Sequence, residues 1–366
     1  MKTTLQLKLL PSLTQHALLL DTMHVFNAAC TWIAAYAYHE QCASKFLLQK
    51  ALYQEIRQRF GLSAQLAIRA IAKAVEAYKR DKKTQVAFRP EGAVVYDERI
   101  LSFQGLEYAS LMALHGRVIV PMQMGAYQAG QFHRVQGQAD LVLVQGQFYL
   151  LLTLETPEDP PMIPEHFLGV DLGIVNLATD SDGNTYTGTP VEVVRQRCRR
   201  ARQTSQATGT KSAKRRLKKM AQNESRFRRA VNHTIAKSLV AHAKDTKATL
   251  SLEDLTGIRD RITVRKRQRH RHHSWSFNQL RQFLSYKAQR AGVPVVFVDP
   301  RNTSRGCSRC GFTDKGNRRS QAEFSCLRCG HTANADLNAA RNLATRGGVS
   351  RPDLCAPVKG QLALRW

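Results

Sequence analysis

The sequence predicts a multidomain protein of mixed α/β and β class. An N-terminal β-barrel with a helical insertion precedes an α/β domain, into which a four-cysteine hairpin is inserted. Three observations predict it. Apolar residues recur at helical spacing from residue 14 to 83, then give way to short alternating runs separated by Gly and polar turns. Farther along, hydrophobic strands ending in an acid are interleaved with long helical patterns. Finally, Cys307-Ser-Arg-Cys310 and Cys326-Leu-Arg-Cys329 stand fifteen residues apart, a spacing that suits a tetrahedral four-thiolate zinc site.

The first strand is Thr4–Leu9, whose residues alternate in polarity. Thr14 to Glu40 reads as a helix, with Leu18, Leu19, Met23, Phe26, Ala29, Ile33 and Tyr36 at three- and four-residue steps. Two more helices are expected over Ser44–Phe60 and Ser63–Arg80, divided by Gly61. Strand-like runs follow at Gly92–Tyr96, Arg117–Pro121, Ala139–Val144 and Gln147–Leu154. Residues 1–13 and 84–160 are therefore expected to form the barrel, with 14–83 inserted. Thr156–Pro161 reads as a linker.

The α/β domain is expected over 161–302 and 334–345. It opens with Phe167-Leu-Gly-Val-Asp171 and a turn at Ser181-Asp-Gly-Asn184. A helix follows from about Val191, and a second runs from Lys211 to Ala243. Strand Ala248–Leu252, helix Ser276–Ala291 and strand Pro294–Val298 come next. The cysteine hairpin occupies 303–333 and a helix begins at Asp336. Residues 346–366 are expected to be a flexible tail.

Lys and Arg number 55 against 28 Asp and Glu, a net charge of +27. Such an excess repels itself unless a polyanion neutralises it, which points to nucleic acid. Candidate phosphate contacts are Arg199, Arg200 and Arg202, then Arg215, Arg216, Lys218, Lys219, Arg226, Arg228 and Arg229, and the loop Arg265, Lys266 and Arg267. Cys30, Cys42, Cys198 and Cys355 are scattered, which suits free thiols in a reducing cytoplasm. The N-terminus lacks the apolar core of a signal peptide, and no apolar run is read as long enough to span a bilayer. No membrane partner is expected.

Three acids share a local setting. Asp171 and Glu253 end hydrophobic strands, and Asp336 opens an Ala-rich helix just past the cysteines. Carboxylates gathered at a sheet rim can hold two Mg²⁺ ions for in-line phosphodiester hydrolysis. Four thiolates close a coordination sphere, so the zinc of Cys307, Cys310, Cys326 and Cys329 is expected to be structural.

Val170-Asp171-Leu172-Gly173, Leu252-Glu253-Asp254-Leu255, the paired CxxC and Asn334-Ala-Asp-Leu-Asn-Ala-Ala-Arg-Asn342 resemble the nuclease core of the TnpB proteins of bacterial insertion sequences, presumed ancestors of type V CRISPR effectors. The resemblance implies an RNase H-like (RuvC) fold with Asp171, Glu253 and Asp336 as catalytic acids binding Mg²⁺, or alternatively Mn²⁺. It implies that the barrel is a wedge domain and its insertion a recognition lobe. The activity it implies is RNA-guided DNA endonuclease, acting as a monomer on one guide RNA from the transposon end. Target DNA would be cut beside a short flanking motif. It also implies an arginine near the scissile phosphate, Arg318 rather than Arg319. Two other readings are a non-cleaving RNA- and DNA-binding regulator of transposition, and a DDE-type transposase. The protein is expected in the cytoplasm, associated with the nucleoid when on DNA.

Overall fold

The computed structural model describes residues 1–254 and 277–349, and the chain divides into two units, 1–157 and 158–366. The expected α/β multidomain fold is present.

The first unit begins with strand β1 (Lys2–Leu9), whose Leu5, Leu7 and Leu9 are buried. Helix α1 (Leu13–His39) starts at a capping box: Gln15 N–H donates to Ser12 Oγ at 3.2 Å, and Ser12 N–H to Gln15 Oε1 at 2.9 Å. Helix α2 (Lys45–Phe60) is capped by Ser44 and stopped by Gly61 at φ 62°, a left-handed conformation that glycine adopts without strain. Helix α3 (Ala64–Arg80) completes the insertion. Strands β2 (Val94–Tyr96), β3 (Leu101–Gln104), β4 (Tyr108–Ala113) and β5 (Gly116–Gln123) follow, then the short helix α4 (Ala126–Gln131) and strands β6 (Val135–Val144) and β7 (Gln147–Glu155).

These strands form one antiparallel sheet in the order β2-β6-β7-β1-β5-β4-β3. Laid flat, seven strands would separate the two edges by about 29 Å at ~4.8 Å per step. The edge strands β2 and β3 are joined by residues 97–100 alone, a link that reaches about 18 Å at most. The sheet must therefore curl until it is nearly closed. β3, β4 and α4 were not expected from the sequence. Leu101–Gln104 and Tyr108–Ala113 are short and carry too few alternations to stand out.

Helix α1 corrects one expectation. Its 27 residues include an 18-residue window of mean hydropathy 1.2, long and apolar enough by length and composition to cross a membrane. Half of that window is buried within the unit, and Met23, Phe26, Cys30 and Ile33 are fully enclosed. The same apolarity is what a core helix needs.

In the second unit, β8 (His166–Asp171), β9 (Asn176–Asp180), β10 (Thr185–Thr187), β11 (Ala248–Glu253) and β12 (Val295–Val298) make a sheet in the order β10-β9-β8-β11-β12. β8, β9 and β10 pair antiparallel, while β8-β11 and β11-β12 are parallel. Helices α5 (Thr189–Thr208) and α6 (Lys211–Asp245) lie between β10 and β11, and α7 (Phe277–Arg290) precedes β12. A small hairpin, β13 (Glu323–Ser325) and β14 (Thr332–Asn334), leads straight into α8 (Ala335–Val349). Leu168, Val170, Leu239, Leu250, Leu252 and Leu284 form the fully buried centre.

Two boundaries move. Asp159 N–H donates to Arg290 O at 3.0 Å and Met162 N–H to Gly292 O at 2.9 Å, so the end of the expected linker is bound to the second unit. Helix α8 continues through Arg346 to Val349, so the expected tail cannot begin at Arg346. The rest of that tail, from residue 350, lies outside the described residues.

Candidate active site and metal centre

Strand register brings two acids side by side. β8 and β11 run parallel with Val170 opposite Leu252. Asp171 and Glu253 are the next residues on each strand, about 4.8 Å apart in strand spacing. Leu168–Val170 of β8 and Ala248–Leu252 of β11 are buried up to these positions, where burial falls off, so each carboxyl sits where the sheet reaches its rim.

Helix α8 supplies the third acid. Its backbone lies against β8 so closely that a Cβ on Gly169 would fall 1.9 Å from Ala340 O. Ser251 Oγ donates to Leu343 O at 2.7 Å, tying the same helix to β11. Asn334 caps it: its Oδ1 accepts from Asp336 N–H at 3.0 Å and Leu337 N–H at 3.2 Å. Asp336 thus sits in the first turn, buried to 7% exposure.

The carboxyls share an electrostatic field. Burial, then the charges of Glu253 and Asp336, push the Asp171 carboxyl up to about 8, and Arg318 opposes them. Burial also raises the Glu253 carboxyl, against a hydrogen bond from Thr303 and the charge of Arg346. Arg318 Nη2 stands 3.6 Å from Asp336 Oδ1, whereas Arg319 is exposed. Two neutral side chains, absent from the sequence reading, join the acids. Asn176 Nδ2 donates to Asp336 Oδ2 at 2.9 Å, and Thr303 Oγ1 donates to Glu253 Oε1 at 2.5 Å. Neither stands in a pattern that singles it out before the chain is folded.

The sulfurs of Cys307, Cys310, Cys326 and Cys329 all lie within 4.8 Å of one another, and among the described residues they alone form such a cluster. Cys307 Sγ is 3.7 Å from Cys329 Sγ, and Cys310 Sγ is 3.6 Å from Cys326 Sγ. A tetrahedron with metal–sulfur bonds of about 2.3 Å has edges of about 3.8 Å, so the cage fits a four-coordinate ion. Both knuckles end in a left-handed glycine, Gly311 at φ 74° and Gly330 at φ 67°. Asn317 joins them, donating to Arg305 O and Phe312 O and accepting from Leu327 N–H.

The cage is bolted to α8. Asn338 Nδ2 donates to Gly306 O at 2.8 Å, and its Oδ1 accepts from Ser308 N–H at 3.0 Å. One turn on, Asn342 Nδ2 donates to Thr303 O and Gly306 O, both at 2.8 Å. Asn334, Asn338 and Asn342 recur every fourth residue. The first caps the helix and the other two clamp it to the first knuckle.

Among the basic candidates, Arg199, Arg200, Arg215, Arg216, Lys218, Lys219, Arg226 and Arg229 are exposed on α5 and α6. Arg202 is not a free phosphate contact: it pairs with Glu224, whose side chain is 5% exposed, inside the α5–α6 hairpin. Arg228 is half-buried there as well. Arg265, Lys266 and Arg267 lie outside the described residues.

Residues 150–259 match the family OrfB_IS605, described as a probable transposase, and residues 277–343 match the Cas12f1-like TNB domain. A CRISPR-associated endodeoxyribonuclease Cas12f1 of Sulfoacidibacillus thermotolerans is 46% identical over 119 residues, 32% of this chain and 27% of the relative. A putative RNA-guided DNA endonuclease InsQ of Escherichia coli (strain K12) is 28% identical over 257 residues, 64% of this chain and 62% of the relative. The chain thus spans less than two thirds of the length of either. A chain of the cryo-EM structure of a Cas12f1-sgRNA-target DNA complex matches at a TM-score of 0.63 and 11% identity, covering 94% of this chain and 98% of that one, a likeness of fold. By its two family matches and these relatives, the chain is similar to TnpB-like proteins and to Cas12f endonucleases.

Proposed function

We propose that this protein is an RNA-guided DNA endonuclease of the TnpB type, cleaving target DNA beside a short flanking motif. The observation that carries the proposal is the meeting of Asp171, Glu253 and Asp336. They come from two adjacent parallel strand ends and a helix N-terminus, and the first two acids carry raised proton affinity. The sheet order β10-β9-β8-β11-β12, with α8 across it, supports reading the second unit as an RNase H-like, RuvC-type core. The first unit is read as wedge barrel and recognition lobe.

The three carboxylates are read as the site for divalent cations, since burial first and then the neighbouring charges of Glu253 and Asp336 raise the proton affinity of Asp171 and would favour a cation beside them. Bound Mg²⁺ or Mn²⁺ supplies the charge that activates a water and stabilises the leaving oxygen of a phosphodiester. Asp171 would hold such a cation in its ionised form, so binding there would displace the proton that burial favours. Arg318, held beside Asp336, can donate to a phosphoryl oxygen where charge develops. The four cysteines are read as a zinc cage whose work is structural: it holds α8, and with it Asp336, against the sheet. The exposed arginines and lysines of α5 and α6 are read as contacts to nucleic-acid phosphates. Guide RNA from the transposon end supplies sequence specificity by base pairing.

The test is cleavage of a target plasmid in Mg²⁺ by protein loaded with guide RNA. Asp171→Ala is expected to abolish product while RNA binding persists. Cleavage by Asp171→Ala at the parent rate would overturn the assignment. The family description as a probable transposase favours one second reading. Strand-transfer products from donor DNA would support that reading instead.

A further inference from the structure

Asp336 and Glu253 each give one carboxylate oxygen to a neutral donor, Asn176 and Thr303 respectively. We infer that Asn176 and Thr303 are positioning residues, each fixing one oxygen of its acid and leaving the other for the divalent cation, which at Asp336 is the oxygen beside Arg318. The inference rests on the nuclease reading above.

The fold places both donors by specific devices. On β9 the ladder pairs Ala178 with Tyr186, and then Asn176 with Thr187. A regular ladder would bring Leu177 to Thr187, so β9 carries one extra residue there. A bulge of this kind re-aims a side chain. Here it accompanies an amide that reaches Asp336, 160 residues away in sequence. Thr303 is 2% exposed and follows Asn302, whose φ of 60° marks a tight left-handed turn. Its own carbonyl accepts from Asn342 of α8. The residue that orients Glu253 is thereby tied to the helix that carries Asp336.

The chemistry of the donors fits this role. Arg318 already places one positive charge 3.6 Å from Asp336 Oδ1, and a lysine or arginine in place of Asn176 or Thr303 would add another against an incoming cation. A neutral amide or hydroxyl orients the carboxylate without adding charge. Thr303 has a single hydroxyl hydrogen and two acceptors in reach, Glu253 Oε1 and Pro300 O at 3.0 Å. An ionised Glu253 is the stronger acceptor and takes it. Partners of metal-binding carboxylates typically matter by about 10-fold to 100-fold in metal affinity.

The experiment measures Mn²⁺ binding to the full-length protein by titration calorimetry, alongside zinc content and melting temperature. Variants are Asn176→Ala, Thr303→Val, Thr303→Ser and Asp171→Ala. Val keeps the shape of Thr303 and removes the donor, and Ser keeps the donor. Asn176→Ala and Thr303→Val are expected to weaken Mn²⁺ binding by about tenfold or more, with zinc content unchanged. Thr303→Ser is expected to bind as the parent does. Parental Mn²⁺ affinity in both Asn176→Ala and Thr303→Val, with binding lost in Asp171→Ala, would overturn the inference and leave the nuclease site standing. Parental binding in Asp171→Ala would overturn the site and the inference together. Equal loss of affinity in Thr303→Ser and Thr303→Val, with a lowered melting temperature in each, would mark Thr303 as a packing residue and also overturn it.

Discussion

Asp171 shows what placing a carboxyl among carboxyls costs a fold. Its proton affinity is raised from the ordinary 3.8 to about 8, chiefly by burial and then by Glu253 and Asp336. The folded protein therefore holds a proton that the unfolded chain releases above about pH 4. Between those values folding takes up a proton, so metal-free stability falls as pH rises, by about 1.4 kcal/mol per pH unit at most. Asp171→Asn removes the ionisation. The variant is expected to melt at a higher temperature than the parent at pH 8 without divalent metal, and at nearly the same temperature at pH 4. Thermal unfolding at the two pH values checks this, and a gap that widened toward low pH would contradict it. Asp171 and Glu253 were legible in the sequence because an acid closing an apolar strand is a local pattern. Asn176 and Thr303 were not, because their meaning lies in contacts made across 160 and 50 residues.

Helix α8 and the cysteine cage act as one element. The sequence announced each separately: paired CxxC for the cage, an Ala-rich run with Asp336 for the helix. The coupling became visible only in Asn338 and Asn342, which donate to the knuckle backbone. Cys310→Ser is expected to lose zinc, measured by metal analysis, and to impair cleavage by displacing Asp336. Residues 1–157 are expected to keep their resistance to proteolysis. Full cleavage by zinc-free protein would contradict the coupling. Close packing is the other half of the element. Gly169→Ala would drive a methyl group onto the Ala340 carbonyl, and overpacking of backbone against backbone costs about 1–3 kcal/mol or more. A melting-temperature drop is expected, and an unchanged one would mean α8 can shift away freely. The α5–α6 hairpin shows where composition misleads. Arg202 looks like its basic neighbours, yet it serves Glu224, and only the antiparallel pairing of the two helices reveals that.

At the scale of the whole molecule, the net charge of +27 is the property that most needs a partner. Helix α6 alone is about 52 Å long at 1.5 Å per residue and exposes Arg215, Arg216, Lys218 and Lys219. Replacing these four by Ala is expected to lower the slope of log affinity for RNA against log salt by about 3, as for four lost phosphate contacts. Fluorescence titration at several salt concentrations checks this, and an unchanged slope would assign α6 another role. The helical insertion was readable from periodicity, and the curled sheet only in part, since β3 and β4 are too short to stand out. The account's central claim is guided cleavage. It is tested most directly by sequencing the RNA that copurifies with the protein and offering the loaded protein two plasmids in Mg²⁺, one matched to that RNA and one scrambled. The account predicts cutting of the matched plasmid alone, lost when Asp171, Glu253 or Asp336 becomes Ala. Equal cutting of both plasmids, or of neither, would contradict it.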